Sequence, residues 1–261
     1  FPVGQQRYFG VPIILMFYHP TYLAAACSIL LVVLAASDKD NDNLMYMILI
    51  SVVIVLTLRK KAIAFVAVFW ALYFLVAVWK IRNRFVLLIL GAIISLFLGY
   101  DQIKTYYLTT SLSPRAVMLK DAIGLANSHF PLGTGFASFG SNMAGRNYSS
   151  IYTTLGYNKM HGMGYEGSLF FLNDGLWQTI LGQFGWVGTI IFLLLIVFLL
   201  KNAFLLKPKR VGFFTHNAIL SANLFLIIAS VGEMAYFAPY ALLMFMVIGM
   251  IVNENEALIE E

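Results

Sequence analysis

Apolar residues in this chain come in long runs, not in the alternating pattern of soluble strands or the one-faced pattern of surface helices. Seven runs stand out, over residues 11–36, 44–58, 62–79, 85–100, 177–200, 213–231 and 236–252. A helix needs about 20 apolar residues to cross the hydrocarbon core of a bilayer, so the pattern predicts an all-α, polytopic membrane protein with about seven transmembrane helices. The second and fourth runs are short and are expected to reach into their flanks. The first contains His19-Pro20, and proline suits the first turn of a helix, so its spanning part is expected to begin there. Fused into one helix, the second and third runs would extend about 54 Å at about 1.5 Å per residue. Arg59, Lys60 and Lys61 would then lie near the bilayer centre, at a cost of several kcal/mol. A tight hairpin turning at those three residues is expected instead.

The connections divide the chain into residues 1–100 with four helices, a long loop over 101–176 containing short helices, and 177–261 with three more helices and a tail. Residues 38–43 (DKDNDN) form a polar turn, while 80–84 (KIRNR) and 201–210 (KNAFLLKPKR) are basic. The glycine-rich stretch 101–176 is too long to be a mere link, and connections of that length are usually functional.

Composition narrows the class. Hydrophobic residues make up 61% and charged residues 11% of the chain, whereas a soluble domain is nearer about half and about a quarter. A water-soluble globular enzyme, a disordered chain and a disulfide scaffold are excluded. The net charge of +5 does not point to nucleic acid, because the basic residues sit in short clusters between apolar runs. The single cysteine, Cys27, lies inside an apolar run. The chain begins with Phe and shows no basic leader before a cleavable apolar stretch, so it reads as part of a longer membrane protein.

Orientation follows from the excess of Lys and Arg in cytoplasmic loops. With 201–210 inside, the short inner segments hold eight such residues and the short outer segments four. The long loop is then extracytoplasmic, as expected of a multi-pass protein of the cytoplasmic (inner) membrane. Arg59, Lys60 and Lys61 fall on the outer side, against that rule. They are read either as contacts to lipid headgroups or as a grip on an anionic ligand such as a lipid phosphate.

Within the long loop, Ser113-Pro114 is a helix start, with Ser at the N-cap and Pro at the first helical position. A helix over 115–127 is predicted, with Ala116, Leu119, Ile123 and Ala126 forming a face against the membrane domain. Arg115 stands in its first turn, where the helix dipole disfavours a cation, so a partner anion is expected. The glycines of 129–140 (HFPLGTGFASFG) do not fit a dinucleotide fingerprint, which would need Gly where Ser138 stands. A close-packed turn is expected there. Gly182, Gly185 and Gly188 lie three apart in the next apolar run and would let another helix approach closely. Asp174, just before that run, is either a helix N-cap or a carboxylate able to act as general base. His161 and Glu166 are further candidates in the same outer loop. Tyr148, Tyr152, Tyr157, Tyr165 and Trp177 are read as sugar-stacking platforms or as interface anchors. The four histidines lack metal-ligand spacing, and there is no nucleophile elbow or Walker motif.

The order of four short stretches resembles the bacterial O-antigen ligase and polymerase family. They are 18–24 (YHPTYLA), 57–62 (TLRKKA), Arg115 followed by 131–136 (PLGTGF), and 182–188 (GQFGWVG). Together they run through most of the chain. The resemblance implies a GT-C-like, inverting, metal-independent glycosyltransferase of cell-surface polysaccharide assembly, with no cofactor. It implies a donor glycan on undecaprenyl pyrophosphate, held by outer arginines that correspond here to Arg59 and Arg115. It also implies membrane lipids and other polysaccharide-assembly proteins, such as a chain-length regulator, as partners. In the ligases a His stands eleven residues before the first glycine of the closing Gly-x-x-Gly, and Asp174 occupies that place here. The departure shifts weight from ligase to polymerase, with His161 as the nearby alternative. The expected site is therefore Arg115, Asp174 and His161 for catalysis, and Arg59, Lys60, Lys61 and Glu166 for substrate binding. A transporter or flippase of lipid-linked substrate is the rival class. Transporters bind near the midplane, however, and the charges here gather at the outer edge.

Overall fold

The computed structural model describes residues 10–38, 42–79, 83–108, 113–165, 171–205 and 213–260. Among them every regular element is helical and no strand is formed. The helices are α1 (Pro20–Ser37), α2 (Leu44–Leu56), α3 (Lys60–Ala77), α4 (Arg84–Ile103), α5 (Pro114–Ser128), α6 (Asn142–Arg146), α7 (Ser150–Thr154), α8 (Leu176–Leu205), α9 (Phe213–Ser230) and α10 (Pro239–Glu260). Three are long and apolar enough to cross a membrane: Pro20–Ser37, Lys60–Ala77 and Leu176–Lys201. Four shorter apolar helices accompany them: Leu44–Leu56, Phe85–Tyr100, Thr215–Ser230 and Pro239–Asn253. The chain divides into two compact units, one built from Phe1–Gly99, Leu199–Ile228 and Phe237–Glu261, the other from Tyr100–Phe198 and Ala229–Tyr236.

In the first unit α1 starts at Pro20, as the proline signal predicts. The chain turns between α2 and α3 at Thr57–Arg59, with Leu58 at φ +51°, so the two runs are separate helices. Helix α9 is the centre of this unit. Every side chain from His216 to Leu226 is buried, the signature of a helix covered on all sides. It meets α3 through the edge-on rings of Phe65 and Phe225, α4 where Leu224 lies over Gly91, and α1 where Thr215 Oγ1 donates to the Ala36 carbonyl. Trp70 Nε1 donates to Ser51 Oγ at 2.9 Å and ties α3 to α2.

The second unit has a core of its own, made of Met118, Ala122 and Ala126 of α5 with Phe139, Ala144, Tyr152, Tyr157, Met163, Leu172 and Leu181. Helix α5 begins at Pro114, with the Ser113 hydroxyl accepting from the Ala116 N–H, as its start signal predicts. Its buried face is corrected. Met118, Ala122 and Ala126 point inward while Ile123 is exposed, and the face packs on the loop's own core. Of the expected face Ala126 is buried, Ala116 and Leu119 are half-buried and Ile123 is exposed; Met118 and Ala122 complete the buried row by filling an interior that local sequence does not reveal.

Helix α8 is broken. Gly185 has φ +61° and ψ −158°, outside any helical conformation. The break separates a head, 176–184, most of which is buried in the second unit, from a shaft, 186–205, most of whose described side chains are exposed. The expected span over 177–200 therefore includes residues that belong to the loop's core. The partner of Gly182 and Gly185 is not another helix but the 131–140 segment. Thr134 N–H donates to the Gly182 carbonyl at 2.9 Å, Gly135 N–H to the Gln183 carbonyl at 2.9 Å, and Val187 N–H to the Pro131 carbonyl at 3.3 Å. Carbonyls and an N–H orphaned by the break are thus satisfied by the turn. A Cβ on Gly133 would lie 2.5 Å from the Gly185 nitrogen, so backbone meets backbone with no room for a side chain.

Candidate functional site

The second unit assembles the site around α5. Pro114 and the Ser113 cap fix the helix start, which puts Arg115 in the first turn, where backbone N–H groups already carry positive character. The anion this position calls for is Asp174. Arg115 Nη2 donates to Asp174 Oδ2 at 3.0 Å and to the Gly232 carbonyl at 3.3 Å. The pair is partly open to solvent, with side-chain exposures of 18% for Arg115 and 36% for Asp174. A charge pair at this depth is screened only in part, and the carboxylate keeps a face on the surroundings.

Asp174 stands two residues before α8, which begins at Leu176. The head of α8 that follows is tied to the 137–140 segment. Thr179 Oγ1 donates to the Gly175 carbonyl at 2.6 Å and lies within 2.9 Å of the Gly140 carbonyl. Gln183 joins the same scaffold, its Nε2 donating to the Phe139 carbonyl and its Oε1 accepting from the Ala137 N–H. Neither Thr179 nor Gln183 was singled out from the sequence, because each acts through backbone groups about 40 residues away. Gly232 was equally invisible, since its contribution is a carbonyl.

The tyrosines divide. Tyr152 and Tyr157 are fully buried and stacked, with ring centroids 5.5 Å apart and planes 17° apart. They are structural, which corrects their reading as sugar platforms or interface anchors. Tyr157 donates its hydroxyl to Asp121 Oδ2 at 2.8 Å, and the Tyr152 hydroxyl accepts from the Gly140 N–H at 2.7 Å. Burial pushes the Tyr152 phenol up to about 12 and, together with the Asp121 carboxylate, raises that of Tyr157 further. Tyr165 is exposed, and Tyr148 is half-buried with its hydroxyl on the Met163 carbonyl. Trp177 is half-buried and meets Phe192 edge-on. His161 is exposed in the turn closed by the Met163 N–H on the Met160 carbonyl. Glu166 lies outside the described residues.

The first unit holds the basic corner. Arg59 occupies the N-cap position of α3 and is half-buried, Lys60 is exposed and Lys61 half-buried. Arg59 Nη2 lies 2.7 Å from His19 Nε2, at the start of α1. A guanidinium only donates, so the imidazole nitrogen accepts. His19 and Arg59 thus bring two of the four quoted stretches together, as 131–136 and 182–188 come together in the second unit. The histidine's link to Arg59 was missed in the sequence because the two are 40 residues apart. Among the described residues no group of three or more His, Cys, Asp or Glu could hold a metal ion.

No protein-family model, curated protein or solved structure matches the chain.

Proposed function

We propose that this chain is a membrane glycosyltransferase that polymerises undecaprenyl-pyrophosphate-linked oligosaccharide repeat units of a cell-surface polysaccharide. It acts at the outer face of the cytoplasmic membrane, through about seven spans of GT-C-like arrangement. The observation that carries the reading is the Arg115–Asp174 pair, a cation at a helix start beside a partly exposed carboxylate, 3.0 Å apart. The four family-like stretches and the apolar helices support it.

In this reading the donor's pyrophosphate competes with Asp174 for the Arg115 guanidinium, which binds phosphate bidentately and stays charged. Asp174 is released as the phosphate takes its place. It then accepts the proton of the acceptor sugar hydroxyl as that oxygen bonds to the anomeric carbon. The bond between that carbon and the phosphate oxygen breaks on the opposite face, and the electron pair leaves with the pyrophosphate. Negative charge grows on the leaving group, so the arginine favours that state over the ground state. Arg59, with Lys60 and Lys61, is a second anion-binding group. His161 and Glu166 remain alternatives to Asp174 as base.

The test supplies lipid-linked repeat units to the purified chain in lipid bilayers. Longer lipid-linked glycans support a polymerase. Transfer only to a different lipid or protein acceptor marks a ligase, and transbilayer movement without new bonds marks a transporter; either result replaces the proposal.

A further inference from the structure

The turn that docks into the break of α8 carries an unusual surface. Phe130, Leu132 and Phe136 are 71%, 66% and 84% exposed. No Asp, Glu, Lys or Arg occurs anywhere in residues 122–145. Apolar side chains scattered singly on a surface need no explanation, but three clustered on one uncharged turn do. Phe136 also touches Phe184 of the α8 head, with ring centroids 6.3 Å apart.

The position of this turn is fixed by its hydrogen bonds to residues 182, 183 and 187. It therefore sits at the level of the break itself. Below the break the shaft exposes Trp186, Val187, Ile190, Ile191, Leu194 and Phe198, and no charged residue occurs from 175 to 200. The shaft, 186–205, measures about 30 Å at about 1.5 Å per residue, the thickness of the hydrocarbon core. Trp186 opens it, with its indole N–H donating to Asn127 Oδ1 at 2.9 Å. A tryptophan with its ring outward and its N–H satisfied at the head of a span is an interfacial anchor.

We propose that Phe130, Leu132 and Phe136 form a wedge that inserts among the acyl chains of the outer leaflet, so that the break at Gly185 marks the membrane surface. The occupant is bilayer hydrocarbon, because the exposed apolar turn is bonded to the start of the exposed apolar shaft, at residues 182, 183 and 187, and Phe136 touches Phe184 beside the break. The uncharged stretch on both sides is the composition that insertion demands. A backbone turn at this depth is tolerated because its polar groups are bonded to the break. The inference does not depend on the chain being a glycosyltransferase.

The test uses the full chain in lipid nanodiscs, with Cys27→Ser to remove the native thiol. Phe136→Cys, and separately Leu132→Cys, is labelled with an environment-sensitive fluorophore; Lys159→Cys, at an exposed charged residue of the loop, is the aqueous reference. The wedge predicts emission shifted to the blue and several-fold stronger quenching by a lipid nitroxide than by iodide at 132 and 136, with the order reversed at 159. Equal iodide quenching at all three positions overturns the proposal. So does protection from both quenchers at 132 and 136, which would place protein against the turn instead of lipid.

Discussion

Gly185→Ala removes the conformation on which the docking of 131–135 depends. The glycine's φ of +61° with ψ of −158° is closed to an L side chain, and its Cβ would stand 2.5 Å from both the Gly133 nitrogen and the Pro131 carbonyl oxygen. Holding alanine there costs about 1–3 kcal/mol in backbone strain alone. Relief comes from straightening α8, which breaks the three backbone bonds to 182, 183 and 187 and the one from Thr134 Oγ1 to the Gly182 carbonyl. At about 0.5–1.5 kcal/mol each these contribute about 2–6 kcal/mol. A straightened helix regains intrahelical bonds, which offsets part of the loss, so the expected net cost to docking is about 2–4 kcal/mol. Hydrogen exchange in bilayers is the assay. The amides of 134 and 135, which donate to the 182 and 183 carbonyls, should exchange about a hundredfold faster, since about 1.4 kcal/mol is tenfold. Amides of 176–184 and 190–198 should stay protected, and helical content should be unchanged. Unaltered protection of 134 and 135 in the alanine variant would refute the view that the break and the turn are one device.

The remaining predictions are simpler. Gly124→Ala should stabilise the loop unit by about 0.5–1 kcal/mol, because Gly124 is exposed inside α5 with nothing within 4 Å of its added Cβ; the thermal midpoint of the detergent-solubilised protein measures it, and a fall would mean α5 is not helical there. The neutral forms of Tyr152 and Tyr157 are favoured by the fold, so their stabilisation is complete below about pH 10, the ordinary phenol value, and declines as pH rises towards the folded value. For Tyr152, raised to about 12, about 2 kcal/mol is lost between pH 10 and 12. Denaturant titrations across that range, run against Tyr152→Phe, should show the decline blunted in the variant.

How much could be read in advance depended on range. The start of α1 at Pro20, the start of α5 at Ser113-Pro114 and the α2–α3 turn were legible, since caps, prolines and charge at a bilayer's centre are local signals. The need of Arg115 for an anion was legible from its place in a helix's first turn, but its partner was not. Asp174 is 59 residues away, and nothing in the intervening sequence encodes the meeting. The three-residue glycine spacing in α8 correctly signalled close approach. It misidentified what approaches, because spacing reports room for a neighbour and not whether the neighbour is a helix or a turn. Tyr152 and Tyr157 misled for a related reason: aromatic residues in a polar, glycine-rich stretch read as surface, whereas here they are the interior of a unit that the stretch builds for itself.

The central claim is that Arg115 and Asp174 are working groups and not merely a structural ion pair. The direct measurement is glycan elongation by the purified chain in bilayers for the wild type, Arg115→Gln, Asp174→Asn and the double variant, with hydrogen exchange of the loop unit recorded alongside. The account predicts longer lipid-linked products from the wild type, and at least about a hundredfold loss in both single variants, the scale of removing one electrostatic or general-base contribution. It predicts no recovery in the double variant even where the loop remains protected. A double variant that regains wild-type elongation would show that only the balance of charge matters, and would contradict the account.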